Sequence, residues 1–100
     1  MKKYQTFNDF YPFYLSEHSK RGTKIFHFIG TTGVFIFLFS FFYTGEYQFV
    51  LYAPLSGYGF AWISHMLIEK NRPATFSYPF YSLIGDFRMY FDILFRRIEI

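Results

Sequence analysis

Three histidines, His18, His27 and His65, are the residues of this 100-residue chain best suited to hold a transition-metal ion. Neutral imidazoles bind iron, zinc, copper and nickel, and a set of three leaves positions open for a substrate or for dioxygen. Catalytic zinc typically keeps three protein ligands and a water, whereas ferrous iron keeps more open positions. Taken singly, His18 is explained as an exposed turn residue, and His27 and His65 as interfacial side chains. The residue types indicate a metal site only if the fold brings the three together, and they do not choose the metal.

Polar residues after His65 add further candidates. Glu69 follows His65 by one helical turn and would share its face, as a fourth ligand, an acceptor for an imidazole N–H, or one half of an ion pair. Arg72 offers a planar cationic fork for a substrate carboxylate, and a lipid phosphate explains it equally well. Asp86, in the motif LIGDFRM, is interpreted as the cap or start of the last helix rather than as a catalytic group.

Two long apolar segments must position these side chains. Residues 25–45 and 47–68 contain no Asp, Glu, Lys or Arg, and each reaches the roughly 20 residues that a helix needs to cross a bilayer core. A single short turn separates them, which predicts a transmembrane helical hairpin. Pro54, Gly57 and Gly59 lie within the second segment, where they predict a kink or a close helix contact.

Basic residues flank the two segments and are absent between them. They are Lys2, Lys3, Lys20, Arg21 and Lys24 before the first segment, and Lys70, Arg72, Arg88, Arg96 and Arg97 after the second. The positive-inside rule then predicts that both ends of the hairpin are cytoplasmic. At a rise of about 1.5 Å per residue, His27 and His65 lie within one to two turns of the same membrane face, and His18 precedes the first segment there. The charge pattern therefore predicts that the three histidines cluster.

Amphipathic segments flank the hairpin at about residues 7–18 and 82–98. Their aromatic and aliphatic residues recur every three or four positions, so each segment either lies in the membrane surface or folds back over the hairpin. Residues 1–100 are thus predicted to form a single all-α domain. We expect an integral membrane helical bundle with a central transmembrane hairpin and amphipathic N- and C-terminal helices, in a bacterial inner membrane or an endoplasmic reticulum equivalent.

The composition agrees with a membrane location. Hydrophobic residues make up 52% of the chain, and 17 Phe, 10 Tyr and one Trp bring the aromatic share to 28%. A chain this short buries only a modest core, so the surplus must face lipid or another copy of the protein, which keeps a homo-oligomer open. The net charge of +3 suits an anionic membrane surface, and no nucleic-acid-binding motif is present. The sequence contains no cysteine for a thiolate metal site.

Several motifs resemble one family of small integral membrane proteins. They are FYLSEH, the HFIG whose histidine follows nine positions later, and the long run GYGFAWISHMLIEKNRPATFSYPFYSLIGDFRMY. Together they are similar to the family typified by the yeast 2-hydroxy fatty acid dioxygenase, over nearly the whole chain from about Phe7 to Phe91. The long C-terminal motif is the most specific of the three, and the short chain resembles bacterial members of that family.

The resemblance implies an Fe(II)-dependent dioxygenase of fatty acid α-oxidation, which uses dioxygen to convert a 2-hydroxy fatty acid into an acid one carbon shorter. It implies Fe(2+) as the cofactor and His18, His27 and His65 as its ligands. For this function we expect Glu69 to be a further ligand or an orienting neighbour, and Arg72 to be a carboxylate clamp. The residues alone leave two alternatives open. One is a non-catalytic lipid-binding or scaffold protein with a structural histidine cluster, and the other is a different metal site, such as a zinc hydrolase or a haem protein.

Overall fold

The computed structural model describes residues 4–98, and every regular element in this range is helical. Four α-helices follow one another: α1 (Phe7–Ser16), α2 (Arg21–Thr44), α3 (Gln48–Ser64) and α4 (Pro79–Leu94). A π-helical segment, His65–Glu69, continues α3, and a 3-10 turn, Ala74–Phe76, precedes α4. The predicted all-α class is confirmed. Lys2 and Lys3, part of the predicted basic flank, lie outside the described residues.

The predicted amphipathic segments correspond to α1 and α4, with different ends. Thr6 caps α1, since its hydroxyl accepts a first-turn N–H at 3.1 Å, and the helix ends at Ser16, short of the predicted end. α4 begins at Pro79, earlier than predicted, because proline lacks an N–H and suits the first helical turn. It ends at Leu94, before Arg96 adopts a left-handed backbone with φ of 61°.

α2 and α3 form an antiparallel helical hairpin. Gly45 ends α2 in a left-handed conformation (φ 76°), and its N–H closes the last turn at 2.7 Å. At Gly30 an added Cβ would lie 2.9 Å from the Cβ of Phe60, and at Gly33 it would collide with Ser56 Oγ. Ser56 Oγ also donates to the Gly30 carbonyl at 2.9 Å. Small residues on α2 therefore set the distance between the two helices.

The glycines and the proline of α3 play different parts. The close helix contact predicted there is confirmed at Gly57, where an added Cβ would lie 3.0 Å from Val34 Cγ2. An added Cβ at Gly59 would meet no atom within 4 Å, so this residue is not part of the contact. Pro54 lies inside α3, and the helix continues through it to its end.

Within the described chain, α2 is the one helix long and apolar enough to cross a bilayer, with 24 residues and a mean hydropathy of 1.9. Core helices of soluble proteins and signal sequences meet the same criteria of length and composition, so this helix alone is a weak indication of a membrane span. The second predicted span, residues 47–68, does not form one regular helix, because α3 ends after 17 residues and the π-helical segment follows.

α1 and α4 pack on each other, and α4 also packs on α2, so the amphipathic segments fold back over the hairpin. The most deeply buried large residues of the α1–α4 contact are Phe10, Tyr14 and Met89. Tyr11 Oη extends the contact by donating to Asp92 Oδ2 at 2.6 Å. Towards the hairpin, the ring of Tyr90 stacks on that of Phe28 in α2, with centroids 4.6 Å apart. The hairpin and α4 therefore enclose the space between them.

Gly30→Ala is expected to lower the thermal stability of the protein, although alanine has the higher helix propensity. Its Cβ would lie 2.9 Å from Phe60 Cβ and 3.0 Å from the Ser56 carbonyl oxygen, a backbone atom that no rotamer change can move. Such overpacking costs about 1–3 kcal/mol. Gly59→Ala is the matched control: its Cβ meets open space, so it should gain about 0.5–1 kcal/mol from propensity. Circular dichroism compares the two Tm values, and equal changes would contradict the close contact.

Candidate metal centre

The three predicted histidines come from three different parts of the chain and meet in the interior. His18 lies in the turn after α1, His27 in the second turn of α2, and His65 at the start of the π-helical segment. They are 1, 5 and 2% exposed, and one ring nitrogen of each lies within 4.8 Å of the others. The clustering that the charge pattern predicted is present in the fold.

The rings converge through their Nε2 atoms. His18 Nε2 lies 3.1 Å from His27 Nε2 and 3.0 Å from His65 Nε2. The ring planes are close to perpendicular, at 86° for His18 and His27, 77° for His18 and His65, and 87° for His27 and His65. The rings therefore do not stack, and His18 presents its Nε2 to the Nε2 atoms of both neighbours.

α1 holds His18 in one tautomer. The Nδ1 of His18 lies 2.6 Å from the Tyr14 carbonyl oxygen, which can only accept, so Nδ1 carries the hydrogen and Nε2 keeps the free lone pair. Burial, followed by the nearby His65, lowers the pKa of His18 to about 3, so the ring is neutral at physiological pH. A neutral imidazole with an inward lone pair is the form that binds a metal.

Asn71 fixes His65 in the same tautomer. The Asn71 amide nitrogen donates to the Glu17 carbonyl and to Glu17 Oε2, both at 3.2 Å. The amide oxygen of Asn71 therefore faces His65, 2.7 Å from its Nδ1, and Nδ1 carries the hydrogen. The backbone supports this arrangement, because Lys70 turns left-handed (φ 60°) and the Asn71 N–H donates to the His65 carbonyl at 3.0 Å.

Asp86 faces the third histidine. Its Oδ1 lies 3.7 Å from His27 Nδ1 and accepts a hydrogen bond from the Tyr14 hydroxyl. Burial raises the pKa of Asp86 to about 7, against the opposing effect of that hydrogen bond. The residue lies two turns inside α4, so the prediction that it caps or starts the last helix is wrong. The contact with His27 depends on how α4 packs against the hairpin, which the position of Asp86 in the sequence does not indicate.

The donor set fits a divalent metal ion. With hydrogens on the Nδ1 atoms of His18 and His65, two bare lone pairs lie 3.0 Å apart in a site shielded from water. Two such lone pairs repel one another, and a shared cation replaces the repulsion by two metal–ligand bonds. Iron and zinc both accept an all-imidazole set, so the arrangement indicates a metal site without choosing the metal.

Glu69 is engaged with the start of α2. Its carboxylate accepts from the Lys20 N–H at 2.6 Å, the Thr23 hydroxyl at 2.8 Å and the Ser19 hydroxyl at 3.2 Å. It thereby caps a helix whose own N-cap residue, Lys20, supplies no side-chain hydrogen bond. Partial burial acts to raise the pKa of Glu69, but these hydrogen bonds outweigh it and hold the pKa below its usual value. Within the described residues, the group of candidate metal ligands consists of the three histidines without Glu69.

A cavity of about 290 Å³ opens beside His27, between α2, α3 and α4, and His27 is the one histidine of the cluster that lines it. Its polar lining is formed by His27, Thr31, Tyr58 and Asp86, and its apolar lining extends to Leu38 and Val50. Arg72 does not line this cavity; it is exposed, with its guanidinium carbon 5.2 Å from the centroid of the Phe76 ring. The residues that sequence reasoning missed here are Asp86 and Tyr58, because their position depends on how α3 and α4 pack.

The chain matches the sequence model of a known family. The family is described as 2-hydroxy-palmitic acid dioxygenase Mpo1-like, and the match covers residues 4–98. All three histidines, Asn71 and Asp86 lie inside the matched range. No curated protein and no solved structure matches the chain. The resemblance carried by the three sequence motifs is confirmed.

Glu69→Gln is expected to destabilise the protein by about 1 kcal/mol at neutral pH, because it removes the charged cap of α2. Folding lowers the pKa of Glu69, so its contribution is present above the unfolded-state pKa and is lost as pH falls through the folded-state pKa. The Tm difference between wild type and E69Q should therefore shrink in acidic buffer. Thermal unfolding over a neutral-to-acidic pH series measures this difference.

Two further measurements complete that experiment. Glu46→Gln, in the exposed turn before α3, is the matched control and should leave the stability unchanged at every pH. The metal content of E69Q should equal that of the wild type. A loss of metal from E69Q would instead make Glu69 a ligand, as one of the interpretations of the sequence has it.

Proposed function

The chain belongs to the 2-hydroxy-palmitic acid dioxygenase Mpo1-like family, and on this basis we propose that it is an Fe(II)-dependent dioxygenase of 2-hydroxy fatty acids. The observation that carries the proposal is the convergence of three buried imidazoles beside an apolar cavity. In the overall reaction, C2 of R–CHOH–COOH becomes the new carboxyl carbon, C1 leaves as carbon dioxide, and water is the third product. One dioxygen accepts all the electrons released, so the reaction needs no further reductant.

His18, His27 and His65 would hold the iron through their Nε2 atoms. Bound iron supplies the activation of dioxygen, which amino-acid side chains do not supply. The protein orients the imidazoles of His18 and His65, because their Nδ1 hydrogens are bound by the Tyr14 carbonyl and the Asn71 amide oxygen. Burial of all three rings keeps bulk water away from the reacting groups.

The cavity suits the acyl tail of such a substrate. From His27 to Leu38 its α2 wall rises about 16 Å, at about 1.5 Å per residue, which is close to one leaflet of a hydrocarbon core roughly 30 Å thick. Asp86 and Tyr58 are polar and line the cavity together with His27, whereas Val50 and most other lining residues are apolar. A 2-hydroxy acid would place its hydroxyl and carboxylate at the histidines and its tail towards Leu38 and Val50.

We assign the hairpin of α2 and α3 to the membrane, with both termini on the cytoplasmic side. Four large apolar residues of the hairpin, Phe39, Phe42, Leu51 and Leu55, are each at least 66% exposed. A surface of this kind needs lipid or a second copy of the chain to cover it. In the sequence the basic residues precede or begin α2, or follow α3, and none lies in the turn at Gly45, which supports the orientation. Arg72, exposed in the chain that follows α3, is suited to a lipid phosphate or to the substrate carboxylate.

His65→Ala is expected to remove stoichiometric iron from protein purified without oxygen, because it deletes one of three ligands. Met66→Ala is the matched control, since its side chain neighbours His65 in sequence but is 66% exposed, and it should retain the iron. Elemental analysis gives the metal content. Oxygen uptake with 2-hydroxypalmitate and mass spectrometry of the product give the activity.

The possible outcomes test the metal site and the dioxygenase reaction independently. Iron content that is the same in H65A and wild type would overturn the ligand assignment. Wild-type protein that carries iron but forms no acid one carbon shorter would overturn the dioxygenase function and leave the metal site standing. Bound zinc or a haem Soret band in place of non-haem iron would point to one of the other metal sites that the residues alone left open.

Val50→Phe is expected to shift the substrate preference towards shorter acyl chains, because the larger side chain fills the apolar part of the cavity. KM for 2-hydroxypalmitate should rise more than KM for a shorter 2-hydroxy acid, while the iron content stays constant. Leu51→Phe is the matched control, since Leu51 is adjacent in sequence but does not line this cavity. Equal effects of the two substitutions on both substrates would contradict the placement of the tail.

A further inference from the structure

Tyr14 contacts the metal centre in three ways. Its carbonyl oxygen accepts the His18 Nδ1 hydrogen at 2.6 Å, and its ring stacks on the His18 ring with centroids 4.1 Å apart. Its hydroxyl donates to Asp86 Oδ1. Burial raises the pKa of the Tyr14 phenol, so the hydroxyl stays protonated and remains a donor at physiological pH.

Asp86 also faces a second histidine. The oxygen that accepts from Tyr14 is also the one that lies 3.7 Å from His27 Nδ1. α4 can bring the carboxylate to this level because its neighbour is a glycine: a Cβ at Gly85 would lie 3.0, 3.1 and 3.2 Å from three carbons of the Tyr14 ring. The close approach of α4 to α1 therefore determines where the carboxylate lies.

We propose that Tyr14 and Asp86 form a positioning pair that orients His18 and His27 and so sets the affinity of the proposed metal site for its ion. A carboxylate facing the outer N–H of a ligating imidazole fixes the ring and raises its basicity, and loss of such a partner typically costs about 10–100-fold in metal affinity. Here the carboxylate is itself held by the Tyr14 phenol, whose backbone carbonyl serves the neighbouring ligand. One residue of α1 thus controls the orientation of two ligands.

The same two helices contain a second tyrosine–aspartate pair, which provides a matched control. Tyr11 Oη donates to Asp92 Oδ2 at 2.6 Å, and Asp92 is 4% exposed, as deeply buried as the histidines. The ion-pair partners of Asp92 are Arg88 and Arg97, at 3.2 and 3.0 Å, instead of a histidine. Both pairs join α1 to α4, so metal binding is the property that distinguishes a positioning pair from a purely structural one.

The experiment compares Tyr14→Phe and Asp86→Asn with Tyr11→Phe and Asp92→Asn, and uses Co²⁺ as the probe. Competition with a chelator gives the affinity, the visible absorption of bound Co²⁺ reports the ligand geometry, and thermal unfolding of the metal-free protein reports stability. All four variants should lower Tm. Y14F and D86N should weaken Co²⁺ binding by about 10–100-fold and change its spectrum, whereas Y11F and D92N should leave both unchanged.

A double variant tests whether the pair acts as one chain. Y14F/D86N should lose no more affinity than D86N alone, because both substitutions interrupt the same connection to His27. Additive losses, or the same loss of affinity in the Tyr11 and Asp92 variants, would overturn the proposal. If an aspartate variant does not fold, the two tyrosine variants decide the question by themselves.

The Co²⁺ measurements also distinguish a failure of the positioning pair from a failure of the proposed function on which it rests. Wild-type protein that binds no Co²⁺ would remove the metal site and the pair together. Wild-type binding that is unaffected in Y14F and D86N would remove the pair alone. The dioxygenase activity does not enter either comparison, so its absence would leave the positioning pair intact.

Discussion

Burying three imidazoles together imposes one constraint on everything around them: each ring must present a lone pair to the common centre while its outer nitrogen finds an acceptor. A buried N–H without a partner costs roughly 1–3 kcal/mol. Two acceptors come from outside the hairpin helices, the carbonyl of Tyr14 in α1 and the amide oxygen of Asn71, and the carboxyl group of Asp86 in α4 faces the outer nitrogen of His27 at 3.7 Å. The three imidazoles are therefore held in this orientation only when α1 and α4 are packed with the hairpin.

The hairpin in turn brings two of the histidines within reach of one another. Two glycines lie on either side of His27 in the sequence of α2: Gly22, where an added Cβ would lie 3.1 Å from Ile68 Cδ1, and Gly30, which meets Phe60. A larger residue at Gly30 would push α3 outwards, and one at Gly22 would displace the side chain of Ile68 in the π-helical segment. Small residues let helices pack closely where lipid offers no hydrophobic driving force. In this chain the same packing also sets the separation of His27 and His65.

The meeting of the histidines could be predicted from the sequence, whereas most of their surroundings could not. A hairpin returns His65 to the level of His27 whatever the details of side-chain packing, so charge pattern and helical rise were sufficient. Asp86 is far from His27 in the chain, and its role depends on how α4 packs. Glu69 does not lie on the predicted face, because the segment after His65 is π-helical and its N–H groups bond to the carbonyl five residues earlier instead of four. The apolar periodicity of the sequence carries no signal for such a change. The same change ends α3 before the predicted span is complete.

The π-helical segment begins with a histidine of the buried cluster and ends with the carboxylate that caps α2. The first of its five residues therefore contacts the other histidines, and the last contacts the start of α2. Unwinding the first turn of α2 would release Glu69, and a released Glu69 would loosen the backbone that carries His65. The start of α2 and the backbone at His65 are thus coupled through this short segment, so local unfolding of one is expected to involve the other. The histidine cluster and this helix terminus are therefore expected to form in the same folding event.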